Sequence, residues 1–272
     1  MQAKSLRHRG GESAMSVLIS TLGVVLALCA GCVLDAEVIR IPQTEFHQRY
    51  PLGPNGRVMI QNLYGDVRIT AWDSDDVLVE AIKRGGDPKR PEDARIVVEP
   101  GSGQLSIHTQ YAGADAQHPA SVEYHVMVPR MANLEEVRLI NGGISITGIA
   151  GPVRASSVNG SIVADRLEGQ AELSTVNGTL DAAFERVDRF NPISLSSVNG
   201  AIRLSIPQGA NASLVASNLS GGIESDVGHV HRNSGHHRLV VRGRGAPIQV
   251  RNVNGGISIH SNWGHASEHP SS

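Results

Sequence analysis

Ile140-Asn141-Gly142-Gly143-Ile144, Val158-Asn159-Gly160-Ser161-Ile162, Val176-Asn177-Gly178-Thr179-Leu180 and Val198-Asn199-Gly200-Ala201-Ile202 repeat one phrase: aliphatic, Asn, Gly, small or polar, aliphatic. A degenerate copy follows at Leu219-Ser220-Gly221-Gly222-Ile223, and a clean copy closes the series at Val253-Asn254-Gly255-Gly256-Ile257. The first three Asn are spaced 18 and 18 apart, and the next step is 22. Asn and Gly tolerate positive φ, so the pair marks a sharp change of chain direction. Residues alternate around it, with Ala171, Leu173 and Thr175 on one face before Asn177. That period of two marks strands.

Two architectures fit such a pattern. Asn-Gly between alternating runs signals a β-hairpin, and serial copies would build an antiparallel meander. A fixed period of roughly 20 residues, with the same residue at the same phase, is what a stacked coil produces. In a coil each Asn sits one strand spacing, ~4.8 Å, above the last. The side chains at Asn141, Asn159, Asn177, Asn199 and Asn254 could then form a hydrogen-bonded turn ladder, as stacked Asn do in cross-β structures. Independent hairpins give no reason to keep Asn in phase. The expected fold is therefore all-β, a parallel β-solenoid over residues 139–262, with a less regular β region over 33–138. The two parts form one domain, and residues 263–272 form a small, polar, disordered tail.

The chain has 272 residues and a formal charge of −2. That length suits one large domain or two small ones. The balanced charge argues against a dedicated nucleic-acid binder. Glycine is frequent at 30 residues and aromatics are scarce at 3%, which suits thin, closely stacked strands rather than a globule built on large rings. Both cysteines, Cys29 and Cys32, lie near the N-terminus, so nothing after Cys32 can form a disulfide.

Residues 1–32 have the layout of a secretory signal peptide. Lys4, Arg7 and Arg9 form a basic region, and Met15 to Ala30 is an uncharged apolar core of 16 residues. That core is short for a membrane span, although an unprocessed N-terminal anchor has the same composition. Translation from Met15 would remove the basic residues. Ala30-Gly31-Cys32 resembles the lipobox of bacterial lipoproteins, with Cys29 where that pattern favours an aliphatic residue. The resemblance implies acylation of Cys32 and a membrane anchor through it. Ordinary signal-peptidase cleavage would instead release a soluble exported protein.

The region before the repeat has strand candidates at Val38–Ile41, Arg57–Ile60, Asp66–Thr70, Val77–Ile82, Arg95–Glu99, Leu105–Thr109 and Val122–Val128. Leu63-Tyr64-Gly65 is a looser copy of the repeat. No window shows a sustained 3.6-residue apolar period, so helix is expected only in the signal segment. Gly85–Asp93 and Ala112–Ala120 read as surface loops. Trp72-Asp73-Ser74-Asp75-Asp76 is either a cation loop of clustered carboxylates or a solvated turn with Trp72 on the core.

Gly65-Asp66-Val67 with Trp72-Asp73, then Gly103-Gln104-Leu105-Ser106-Ile107, then Tyr124-His125-Val126-Met127-Val128-Pro129, then serial Asn-Gly rungs, resembles the bacterial putative-adhesin domain family. The resemblance covers about residues 38 to 260. It implies an exported β-solenoid of the cell envelope, and says little about what the domain does.

One charge asymmetry stands out. From Val227 to Ser267 there is no Asp or Glu, while His229, His231, Arg232, His236, His237, Arg238, Arg242, Arg244, Arg251, His260 and His265 fall there. The interval also stretches the repeat to 34 residues between Ser220 and Asn254, room for a hairpin around Leu239-Val240-Val241. Arg232, Arg238, Arg242, Arg244, His229 and His231 are the candidate contacts for an anionic partner: a lipid head group, an acidic polysaccharide, extracellular DNA or a protein. A merely solvated insertion has the same composition. His229 and His231 would share one strand face, but no Cys joins them and no metal or other cofactor is expected.

No nucleophile elbow, phosphate loop or metalloprotease motif occurs. Some β-helices are carbohydrate-active enzymes, so carboxylates of the regular region are the alternative candidates, but Asp165 and Asp181 occupy different phases of the repeat and do not make a dyad. A non-enzymatic envelope module for adhesion, scaffolding or ligand binding is expected, with self-association through open sheet edges as a second mode of contact.

Overall fold

The computed structural model describes residues 44–85, 94–111, 120–227, 230–233 and 236–262. The signal segment with Cys32, the strand expected over Val38–Ile41, most of both expected loops, His229 and the expected tail lie outside them.

The described residues hold no helix. The strands are β1 (Thr44–Pro51), β2 (Arg57–Tyr64), β3 (Val67–Trp72), β4 (Asp76–Arg84), β5 (Ala94–Gly101), β6 (Gln104–Tyr111), β7 (Ser121–Pro129), β8 (Asn133–Asn141), β9 (Ile144–Thr147), β10 (Val153–Asn159) and β11 (Ile162–Leu167). They continue as β12 (Ala171–Asn177), β13 (Leu180–Phe184), β14 (Ile193–Asn199), β15 (Ile202–Pro207), β16 (Ala212–Ser220), β17 (Ile223–Ser225), β18 (Val230–Asn233), β19 (His236–Val241), β20 (Ala246–Asn254) and β21 (Ile257–Asn262).

These strands form two sheets. Sheet A runs β1-β4-β7-β3-β9-β11-β13-β15-β21-β17, and sheet B runs β18-β19-β16-β20-β14-β12-β10-β8-β2-β6-β5. Each Asn-Gly corner joins a strand of sheet B to a strand of sheet A, so one repeat is one rung. Pairing between rungs is parallel and in register: Asn159 lies beside Asn141 and Asn177, and Asn177 beside Asn199. The antiparallel meander is excluded by that pairing.

The core lies between the sheets. In β12, Ala171, Leu173 and Thr175 point inward; in β13, Leu180, Ala182 and Phe184 do. Most of its side chains are Val, Ile, Leu and Ala, and Phe184 is among the few buried rings. Burial of such side chains supplies ~1.5–3 kcal/mol each for the larger ones.

Rung order departs from chain order twice. The β2–β3 rung stacks on β8–β9, and β6 and β7 stack beyond it. At the other end the last rung, β20–β21, inserts between β14–β15 and β16–β17. Asn199 therefore neighbours Asn254, and the degenerate Ser220 is displaced to the end of the stack. Antiparallel strands close most ends: β4 and β1 beyond β7, β5 beyond β6, and the β18–β19 hairpin beyond β16. The outermost strands among the described residues are β1 and β17 in sheet A and β18 and β5 in sheet B, and β17 is three residues long. Short edge strands and a Pro at the end of β1 both discourage pairing with another chain.

The corner itself is built by contact. Asn159 Nδ2 donates to Asn141 Oδ1 at 3.0 Å, Asn177 to Asn159 at 2.8 Å, Asn199 to Asn177 at 2.9 Å and Asn254 to Asn199 at 2.9 Å. Positive φ is not what these Asn supply, because Arg166 is the one non-glycine residue with positive φ among those described. Nor is it the common need of the glycines. Gly142, Gly160 and Gly178 have ordinary φ, but a Cβ on each would overlap the carbonyl oxygen of the preceding corner glycine. Glycine is required there because adjacent rungs approach backbone to backbone.

Gly178→Ala should accordingly cost about 1–3 kcal/mol of stability by overpacking. Gly222→Ala, at a corner with open space around it, should stay within ~0.5 kcal/mol. Urea unfolding of the two variants measures both.

Candidate ligand-binding face

Register sorts the outer side of sheet B into columns. The residue before each corner residue faces outward, so Ile140, Val158, Val176, Val198, Val253 and Leu219 form an aliphatic stripe, each between 36% and 51% exposed. Two residues further back runs a polar column: Gln61, Arg138, Ser156, Ser174, Ser196, Arg251, Ser217, Arg238. His231 continues it by backbone register.

Charge divides this face in two. On β8, β10 and β12 cations and anions are paired: Arg154 Nε lies 2.9 Å from Glu172 Oε2, and Arg138 Nη1 lies 3.9 Å from Glu136 Oε1. On β14, β20, β16 and β19 there is no Asp or Glu. Arg238, Arg242, Arg244 and Arg251 are exposed and take part in no ion pair among the described residues. Arg244 is held through its backbone N–H, which donates to Asn211 Oδ1 at 2.9 Å. Of the sequence candidates, Arg238 and Arg251 share the polar column on either side of Ser217, whereas Arg242 and Arg244 follow the end of β19. Arg232 and His231 lie on β18, placed by backbone alone.

A groove of about 530 Å³ lies at this cationic end. Val198, Val253 and Leu219 line it together with Ser196, Ser217, Arg251 and Arg238, and Thr175, Ser197, Asn252, Asn218 and His237 complete its lining. A second concavity, of about 500 Å³, opens on sheet A around Arg68, Glu80, Glu123 and His125. There His47 Nδ1 and His125 Nδ1 stand 3.1 Å from different oxygens of Glu80.

Beneath the stripe runs a buried polar column that hydropathy conceals. Ser157 Oγ donates to Gly142 O at 3.0 Å, Thr175 Oγ1 to Gly160 O at 2.8 Å, Asn252 Nδ2 to Gly200 O at 2.9 Å and Asn218 Nδ2 to Gly255 O at 2.6 Å. Near each corner, then, polar side chains point in and aliphatic ones point out. Ser197 Oγ and Asn218 Oδ1 are the exceptions in this column, buried without a partner. The signal for the inversion is strand parity: Ala171, Leu173 and Thr175 share a face, which leaves Val176 outside.

Several acidic residues of the regular region are engaged in ion pairs. Asp181 binds Arg203, Glu172 binds Arg154, and Glu168 binds both Arg130 and Arg186. Among the described residues no three of His, Cys, Asp and Glu are grouped to hold a metal ion. Trp72 to Asp76 forms a turn in which Trp72 Nε1 donates to Asp76 O at 2.8 Å.

The inverted column makes a paired prediction. Thr175→Val leaves Gly160 O unsatisfied and should cost about 1–3 kcal/mol. Ser197→Ala removes a hydroxyl that has no partner and should be neutral or stabilising. Thermal unfolding of both variants decides it.

Solved structures give a wider comparison. A putative cell adhesion protein from Clostridium sporogenes is 10% identical, with 81% of this chain and 100% of that chain covered and a TM-score of 0.46. A putative adhesin from Bacteroides fragilis is 9% identical, covering 80% and 97%, with a TM-score of 0.42. A putative lipid binding protein from Parabacteroides distasonis is 12% identical, covering 80% and 97%, with a TM-score of 0.33. No curated protein matches the chain. The family model described as Toastrack DUF4097 matches residues 38–260. With most of its length so matched, the chain belongs to the Toastrack DUF4097 family, the putative-adhesin domains its sequence resembles.

Proposed function

We propose that the protein is a non-enzymatic module of the bacterial cell envelope, exported and tethered to a membrane through an acylated Cys32. Its solenoid holds an anionic partner at the C-terminal end of the outer face of sheet B. The observation that carries this reading is the charge division of that face. Arg138 and Arg154, on β8 and β10, are neutralised by neighbours, while Arg238, Arg242, Arg244 and Arg251 are not. Exposed cations without partners on a face without carboxylates raise the local concentration of anions and speed their capture. The carbohydrate-active alternative has less support, because Asp181, Glu172 and Glu168 are bound in ion pairs with arginine.

Retention on heparin and on anionic vesicles tests the reading. Replacing Arg238, Arg242, Arg244 and Arg251 with Ala should weaken retention roughly tenfold or more, and added salt should mimic the loss by screening. Equal retention of variant and parent removes this face from the function. The ratio between heparin and vesicles separates a glycan from a lipid partner.

The tether is tested separately. The mature protein should begin at Cys32 and carry added acyl mass, and Cys32→Ser should move it from the membrane fraction to the soluble one. An unmodified mature N-terminus elsewhere would rule out the anchor.

A further inference from the structure

The groove at the cationic end of sheet B has a shape and a chemical gradient that point to a narrower ligand class. Small side chains of the polar column, Ser196 and Ser217, leave a trough beside Val198, Val253 and Leu219. Its lining residues come from β12, β14, β20, β16 and β19, so it crosses strands rather than following one. Its outward-facing side chains span β14 to β19, three strand spacings, which gives a length of ~14 Å.

One side of this trough is aliphatic. The charged side chains that line it are Arg251 and Arg238, in the polar column on either side of Ser217. An extended polypeptide would look for unpaired backbone groups, but the strands beneath are already paired on both sides from β12 to β19. A sugar would look for a stacking ring, and the trough has no Phe, Tyr or Trp in its lining.

We propose that the trough binds an anionic lipid, with one aliphatic chain laid across the rungs against Val198, Val253 and Leu219 and its head group held by Arg238 and Arg251. The inference rests on the anionic-partner reading above and specifies its ligand. Charge complementarity sets the polarity of the bound molecule: the chain takes the serine- and valine-lined part, and the anion takes the arginines. The insertion of β20 between β14 and β16 creates the site, because it sets Arg251 one strand from Ser217 and two from Arg238.

Titration of the mature protein with dodecyl phosphate, below its micelle concentration, tests the proposal against inorganic phosphate and dodecyl maltoside. Dodecyl phosphate should bind at least tenfold more tightly than either control. Val198→Thr with Val253→Thr, which keeps shape and strand preference, should weaken it at least tenfold, as should Arg238→Ala with Arg251→Ala. Ile140→Thr with Val158→Thr, on the same stripe but outside the trough, should change it less than twofold. Inorganic phosphate binding as well as dodecyl phosphate, or equal losses from the two threonine pairs, overturns the proposal. Heparin retention that depends on the arginines, with no binding of dodecyl phosphate by the parent, overturns the lipid and leaves the anionic-partner reading standing.

Discussion

Backbone contact between successive corners is the constraint on which the fold depends. Each corner glycine lies against the carbonyl of the glycine one rung away, so any side chain there would force the rungs apart. Closeness lets the Gly N–H of one rung reach the Asn carbonyl of the next, as from Gly160 to Asn177 at 3.0 Å. It also lets the Asn amides meet. Hydrogen bonds on both the main chain and the side chain then repeat at every step, and register cannot slip by a residue without losing all of them together.

Burial follows from that geometry. Sheets joined by so tight a corner leave room for aliphatic side chains more readily than for rings, which matches the scarcity of aromatics. Near the corner the carbonyls turned inward need donors, and Ser157, Thr175, Asn252 and Asn218 provide them. A buried carbonyl without a donor would cost about as much as a lost methylene or more. The polar residue therefore goes inside, and the aliphatic residue beside it is left outside. The exposed stripe is thus in part a consequence of how the corner is satisfied. It becomes a binding surface only where charge and a trough accompany it.

The end of the stack shows how connectivity makes a surface. Had the rungs followed chain order, Arg251 would lie beyond Ser217, at the far edge. Insertion of the last rung brings it inward, and the β18–β19 hairpin extends sheet B so that Arg238 takes the next place in the same column. Two arginines carried by consecutive strands of the chain, β19 and β20, are thereby set on opposite sides of one serine of β16. The same insertion continues the Asn ladder through Asn254 and leaves Ser220, which has no amide, at the end where no further rung needs one.

Much of this was legible in the residues alone. Six copies of one phrase at a near-constant period imply a stacked coil, because only stacking gives equivalent positions a reason to be alike. The absence of Asp and Glu from Val227 to Ser267 likewise marked the cationic end. Hydropathy alone would place Val158 and Val176 in the core, yet they are exposed; parity with Ala171 and Leu173 carries the information that they face outward. The need for glycine could be read, but its cause was a neighbouring rung rather than φ, and that is a contact between residues 18 apart. Rung order was beyond the sequence altogether. Every aliphatic-Asn-Gly phrase is locally equivalent, so the chain specifies what a rung is; which rung lies on which is decided by long-range pairing, and with it the trough and the arginines that flank it.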